Sequence, residues 1–228
     1  MFTIFKNPPN IKFGLSQKAD GPMELAGSLK LPVREAFFAK NNIQLNQTVS
    51  AKLAHSENVV WVSKKNAGSV IQDVDGLVTN DPEIVLTVTV ADCYPIYFFD
   101  PKQKIIGLIH SGWRGSVSNL IANTIKVIGT DPTDLFVGVG PGIGPCHFEI
   151  QDNTLGSFKE FQSSIINQNG KIFINLPKII QIQLINVGIK PENIKFIGEC
   201  TYCKENKYFS YRRDHPTNIQ AMVAYIGL

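Results

Sequence analysis

The chain has 228 residues, 43% of them apolar, and a formal net charge of +3. That size buries a core sufficient to fold without disulfide or metal staples, and the apolar content excludes a disordered chain. The charge is spread with no run of Lys or Arg, which argues against a nucleic-acid or membrane-surface partner.

No apolar run approaches the roughly 18 residues of a membrane-spanning helix. The opening Met1–Pro9 lacks the apolar stretch and cleavage site of a signal peptide. A cytoplasmic location is the expectation, with Cys93, Cys146, Cys200 and Cys203 as free thiols or ligands rather than disulfides. Without an internal repeat or linker, a single domain over residues 1–228 is the simplest organisation.

In chain order, the first predicted element is a helix over Pro32–Asn41. Short β-branched and aromatic segments then predict strands at Asn58–Ser63, Ile84–Val90, Pro95–Phe99 and Lys104–Ile109. Thr79–Pro82 and Asp100–Gln103 carry turn chemistry, and the shortness of the second predicts an antiparallel hairpin. A helix over Ser116–Ile128 has Val117, Leu120, Ile121, Thr124, Val127 and Ile128 on one stripe, with Ser116 as cap and Gly129 as stop. A strand at Leu135–Val139 follows. Helical spacing then covers Leu155–Asn167 and Leu176–Val187, the latter with Pro177 in its first turn and Gly188 after its end. Strands at Ile194–Ile197, Tyr208–Tyr211 and Ile219–Ile226 complete the chain. Many strands with hairpin connections and few helices predict an α+β fold.

Four segments carry candidate chemistry. Ala91-Asp92-Cys93-Tyr94-Pro95-Ile96 puts a thiol where a strand meets a loop; it is either a reactive group or a small buried apolar residue. His110-Ser111-Gly112-Trp113-Arg114-Gly115-Ser116 leads from a strand into a helix, where Arg114 and the first amides would suit a phosphate and His110 a proton or metal. Gly138–His147 is a Gly/Pro loop without the dinucleotide-binding spacing, readable as an anion nest or a rigid turn. Cys200-Thr201-Tyr202-Cys203 lacks a second C-x-x-C, which weakens a zinc-ribbon reading. The Tyr208–Asp214 run after it alternates, so one arginine should point inward to an acid or phosphate, or form a plain Arg-Asp ion pair that locks the fold.

Ala91-Asp92-Cys93-x-Pro95-Ile96, His110-x-Gly112-Trp113-Arg114-Gly115, Gly140-Pro141-x-Ile143-Gly144-Pro145, and Cys200-Thr201-Tyr202 with Phe209–Asp214 occur in that order. Together they resemble the laccase-domain family, first described as multicopper polyphenol oxidases and later reassigned as purine nucleoside phosphorylases. The resemblance runs from about Val60 to the C-terminus. It implies a YfiH-like layered α/β/β/α fold with mixed sheets. It also implies phosphorolysis of adenosine, inosine and methylthioadenosine, with some adenosine deamination, so that the partners are a nucleoside and phosphate. The family's zinc is held by two histidines and a cysteine, which places Cys93 and His110 as metal ligands and catalytic groups, Arg114 as the phosphate-binding and catalytic arginine, and Arg213 as a weaker substrate contact. The family's first histidine stands four residues before a valine. Matched to Val70, that position is Asn66, a poor zinc ligand beside imidazole or thiolate, which predicts a degenerate metal site whose third ligand is His55, His147 or Asn66, whichever the fold brings near. A degenerate site leaves two alternatives: a non-catalytic nucleoside-binding relative, or a metal-free Cys-His hydrolase with Cys93 as nucleophile and Asn66 or Asp92 orienting the site.

Overall fold

Period-two alternation along the strands sorts the apolar side chains into three cores, and those cores set the layers. The structure, a computed structural model, describes residues 11–23, 31–215 and 220–228. In chain order the strands are β1 Lys12–Leu15, β2 Thr48–Ala51, β3 Val59–Trp61, β4 Val70–Ile71, β5 Gly76–Thr79, β6 Val85–Val90, β7 Tyr94–Asp100, β8 Ile105–Ser111, β9 Phe136–Val139, β10 Glu149–Ile150, β11 Ile165–Gln168, β12 Lys171–Ile174, β13 Ile194–Phe196 and β14 Met222–Gly227. The α-helices are α1 Pro32–Lys40, α2 Trp113–Val117, α3 Leu120–Ile128, α4 Asp152–Leu155, α5 Leu176–Asn186 and α6 Tyr211–Asp214.

Two mixed sheets form the centre. One has the order β1-β14-β6-β2-β4, the other β13-β9-β7-β8-β5-β3, and β10-β12-β11 form a small third sheet. Leu86, Val88, Tyr97, Phe99, Ile106, Leu108, Met222 and Ala224 fill the space between the two large sheets. On the same strands, Ile96, Phe98, Ile105 and Ile109 point the other way, into a core closed by α3 and α5. Val85, Val223 and Tyr225 face α1 through Phe37 and Phe38. The layering is therefore α/β/β/α, as the resemblance implies.

Four predicted elements differ. Leu155–Asn167 is not one helix: α4 passes into a 3-10 segment, Gly156–Ser164, and then β11. Asn169 and Gly170 both take positive φ, the two-residue turn that hairpins favour, and the β11–β12 hairpin draws Ile165–Gln168 into a strand. Ser116–Ile128 begins earlier, at Trp113, and breaks at Ser118-Asn119; the Ser118 hydroxyl donates to the Gly115 carbonyl and accepts from the Leu120 amide, local bonds that compete with the helix ladder. Tyr208–Tyr211 is not a strand. Tyr208 and Phe209 are buried, and Ser210 caps α6 by accepting from the Arg213 amide. The last strand starts at Met222, and Ile219 lies outside the described residues.

Candidate active site

The β7–β8 hairpin brings two of the candidate groups together. Pro95 pairs with His110 across it, and Cys93 immediately precedes β7. Side chains at 106 and 108 on β8 and at 97 and 99 on β7 face the space between the large sheets. His110 and Cys93 share that parity, so both point to the same side at the same end of the sheet. His110 is buried and Cys93 half-buried.

The third corner is His55. His55, Cys93 and His110 each offer a ligand atom, all within 4.8 Å of one another. The two imidazoles meet edge to face, with centroids 5.0 Å apart. His55 precedes β3, whose first residue, Val59, lies opposite Gly76, which in turn lies opposite Ile109. Asn66 follows the other end of β3, where Trp61 lies opposite Val78 and β5 ends opposite Ile106. There its side-chain oxygen accepts from the Ser63 amide in a 3-10 turn. Asn66 is thus at the far end of the sheet, and the predicted substitution of a metal ligand is corrected: a histidine occupies that corner. His55 also stands four residues before a valine, Val59, so the same spacing occurs twice in the chain.

Asp75, which sequence reasoning missed, holds the two histidine corners. It is fully buried just before β5. Its carboxylate accepts from the amides of Ala54, His55 and Ser56, from the Ser56 hydroxyl, and at 3.0 Å from His110 Nδ1. These bonds hold His55 at a φ of 54°. They also leave Nε2 of His110 for a ligand. Burial opposes the charge on Asp75, but the bonds from His110 and Ser56 outweigh it and lower its pKa. Burial likewise opposes a thiolate at Cys93, yet His110 and His55 bring that pKa down to about 7. His110 in turn, against its burial, is pushed up to about 9 by Cys93 and Asp75.

Gly112 lies directly against Cys93 and His55. A Cβ there would lie 2.8 Å from Cys93 Sγ and 3.7 Å from the His55 ring, so only glycine permits this approach. Arg114, next to Trp113, is exposed, and its guanidinium lies over the indole ring at 4.4 Å. It has no hydrogen bond among the described residues.

Arg213 is different. It donates to Asp214 through Nε and Nη2, to the Thr201 and Tyr202 carbonyls through Nη1, and to the Tyr208 carbonyl through Nη2. All five N–H groups of a guanidinium are thereby committed, so Arg213 locks the fold and offers no free donor to substrate. Asp92 does not orient His110 either. It binds the Thr201 and Ser210 hydroxyls and the Arg212 amide, fastening the 200–212 segment to the loop before β7. A groove of about 510 Å³ opens beside Trp113, lined by Phe148, Glu149, Gln151, Asn153 and Arg212.

Residues 32–228 match the model of the multi-copper polyphenol oxidoreductase laccase family. The chain belongs to that family. It is 31% identical, over 80% of its length and 73% of the relative, to a protein named purine nucleoside phosphorylase YlmD from Geobacillus stearothermophilus. It is 34% identical, over 78% of its length and 73% of the relative, to purine nucleoside phosphorylase RP494 from Rickettsia prowazekii. The crystal structure of YlmD from G. stearothermophilus superposes with a TM-score of 0.88 at 25% identity, over 98% of each chain. Bacillus licheniformis YfiH superposes at 0.86 and 23% identity, over 96% of this chain and 92% of that one. Among the described residues of this family member, no helix is long and apolar enough to cross a membrane.

Proposed function

We propose that the chain is a purine nucleoside phosphorylase working at His55, Cys93 and His110, with adenosine, inosine and methylthioadenosine as substrates and adenosine deamination as a side activity. The observation that carries this reading is the convergence of two imidazoles and a thiol within 4.8 Å, around one buried carboxylate, in a chain whose relatives bear that name. In the reaction a phosphate oxygen bonds to the anomeric carbon as the bond to the purine nitrogen breaks; the base leaves with a proton, and ribose 1-phosphate remains.

The donor set fits zinc. Two imidazoles and one thiolate leave a fourth position open, the pattern of catalytic rather than structural zinc sites. Zinc bound there would supply Lewis-acid activation. Asp75 keeps His110 in one tautomer, with Nε2 facing the site and its proton on Nδ1. Arg114 is the proposed phosphate contact, because its donors are uncommitted and a guanidinium matches phosphate geometry. The groove beside Trp113, the residue next to Arg114, is the proposed seat for the nucleoside. Free thiols and the lack of a spanning helix among the described residues support a cytoplasmic setting.

The test is inosine turnover by the full chain with and without phosphate. Hypoxanthine and ribose 1-phosphate should form only with phosphate, rise with added zinc, and vanish in Cys93→Ser. Base release at an equal rate without phosphate would contradict phosphorolysis. Nucleoside binding without turnover would favour the non-catalytic alternative. Ammonia release from adenosine checks the side activity.

A second reading rests on one specific observation: Asp75, His110 and Cys93 also form an acid–base–nucleophile chain. A thiol hydrolase of that kind would remain active after chelation and die on alkylation of Cys93.

A further inference from the structure

A second group of ligating side chains lies outside the site above. Cys146, His147, Cys200 and Cys203 each present a ligand atom within 4.8 Å of the others. Two loops supply them. The Gly/Pro loop after β9 ends in Cys146-His147, and the Cys200-x-x-Cys203 turn follows β13. The loops meet at a parallel bridge between Gly142 and Cys200 and at the bond from the Thr201 amide to the Gly142 carbonyl. The C-x-x-C pair therefore does have partners, 53 to 57 residues away in sequence.

Three of the ligand-to-ligand distances come close to the edges of a tetrahedron. With zinc–sulfur bonds of about 2.3 Å and zinc–nitrogen bonds of about 2.0 Å, tetrahedral edges come to about 3.8 Å between sulfurs and about 3.5 Å between sulfur and nitrogen. Cys146 Sγ and Cys203 Sγ are 3.6 Å apart, and His147 Nδ1 is 3.2 Å from the first and 3.3 Å from the second. A disulfide needs about 2.05 Å between sulfurs, so the pair is not bonded.

The surroundings are built for this geometry. The Gly144 amide donates to Cys200 Sγ at 3.1 Å, a bond that stabilises a thiolate ligand. A Cβ on Gly144 would fall 3.2 Å from Cys146 Sγ and 3.4 Å from Cys200 Sγ, crowding both sulfurs. The His147 ring is stacked on Tyr202 at 3.9 Å, which fixes its orientation and turns Nδ1 to the thiols.

We propose that Cys146, His147, Cys200 and Cys203 bind a structural zinc ion. Four strong donors leave no open position, so the ion ties loop to loop and performs no chemistry. Its mechanical consequence reaches Cys93, because Asp92 grips Thr201 next to Cys200 and accepts from the Arg212 amide.

The experiment measures metal in the full chain by mass spectrometry, with cobalt substitution as the optical readout. A Cys93→Ser/His110→Ala variant removes the other metal position and leaves these four residues untouched. It should retain one zinc per chain, and its cobalt form should show thiolate-to-cobalt charge transfer from three sulfurs. Adding Cys203→Ser to that variant should cut zinc affinity by at least tenfold and reduce the charge-transfer band. The proposal is overturned if the Cys93→Ser/His110→Ala variant holds no zinc after exposure to the metal. It is equally overturned if non-reducing mass analysis finds Cys146 and Cys203 oxidised to a disulfide.

Discussion

A buried carboxylate destabilises a fold by several kcal/mol unless it is paired and hydrogen-bonded. Asp75 meets that requirement with four donors from residues 54–56 and one from His110. The same bonds fix both histidines, so Asp75→Asn should keep the shape and lose the electrostatics. We expect zinc affinity at the His55–Cys93–His110 site to fall about 10–100-fold, measured by chelator competition. In protein stripped of metal, Cys93 provides a pH test. The thiolate is the reactive form, so alkylation should accelerate as pH rises through about 7 and then level off. His110→Ala removes the main opposing charge, and the midpoint should move up toward the ordinary thiol value of 9.0. Cys93 and His110 were legible in the sequence because each stands at the end of an apolar strand and within a motif that carries the family resemblance. His55 was one of three possible third ligands, with His147 and Asn66, because a position four residues before a valine occurs at both 55 and 66, and only strand register separates the two. Asp75 and the Cys146–Cys203 proximity depend on contacts across many residues, which local pattern does not encode.

At the scale of elements, Gly112 is where β8 hands over to α2. Gly112→Ala would drive a methyl to 2.8 Å from Cys93 Sγ. Activity should drop sharply while circular dichroism stays unchanged, because the collision is local to the pocket. Leu184 lies on the buried face of α5 and is fully inaccessible. Leu184→Ala should cost about 2–5 kcal/mol in denaturant unfolding without changing the ratio of kcat to KM. The long strands β6, β7, β8 and β14 could be read from their runs of β-branched and aromatic residues, buried along almost their whole length. The two-residue strands β4 and β10 carry no period. The β11–β12 hairpin was hidden because Leu155, Phe158, Phe161 and Ile165 also fit a helix, and the Asn169-Gly170 turn decides against it. The strand expected at Tyr208–Tyr211 failed for a related reason: buried aromatics give an alternating run, but Ser210 and Asp92 terminate it in a capped turn.

For the whole molecule, the layers leave the chemistry at one end of the two central sheets. The β7–β8 hairpin, the loop before β3 and the segment fastened by Asp92 meet there. Metal binding at this junction should stabilise the fold as well as serve the reaction. Zinc in free excess at about 100 times a site's Kd adds about 2.7 kcal/mol, which in a domain of this size raises Tm by about 5–10 °C. Scanning calorimetry with zinc and with chelator checks this. The central claim is that His55, not Asn66, completes the active site with Cys93 and His110. It is tested most directly by initial rates of inosine phosphorolysis for the wild type, His55→Ala and Asn66→Ala. The account predicts a loss of about 100-fold or more in His55→Ala and a rate within about twofold of wild type in Asn66→Ala, whose side chain only caps a surface turn. A fully active His55→Ala, or an inactive but folded Asn66→Ala, would contradict it.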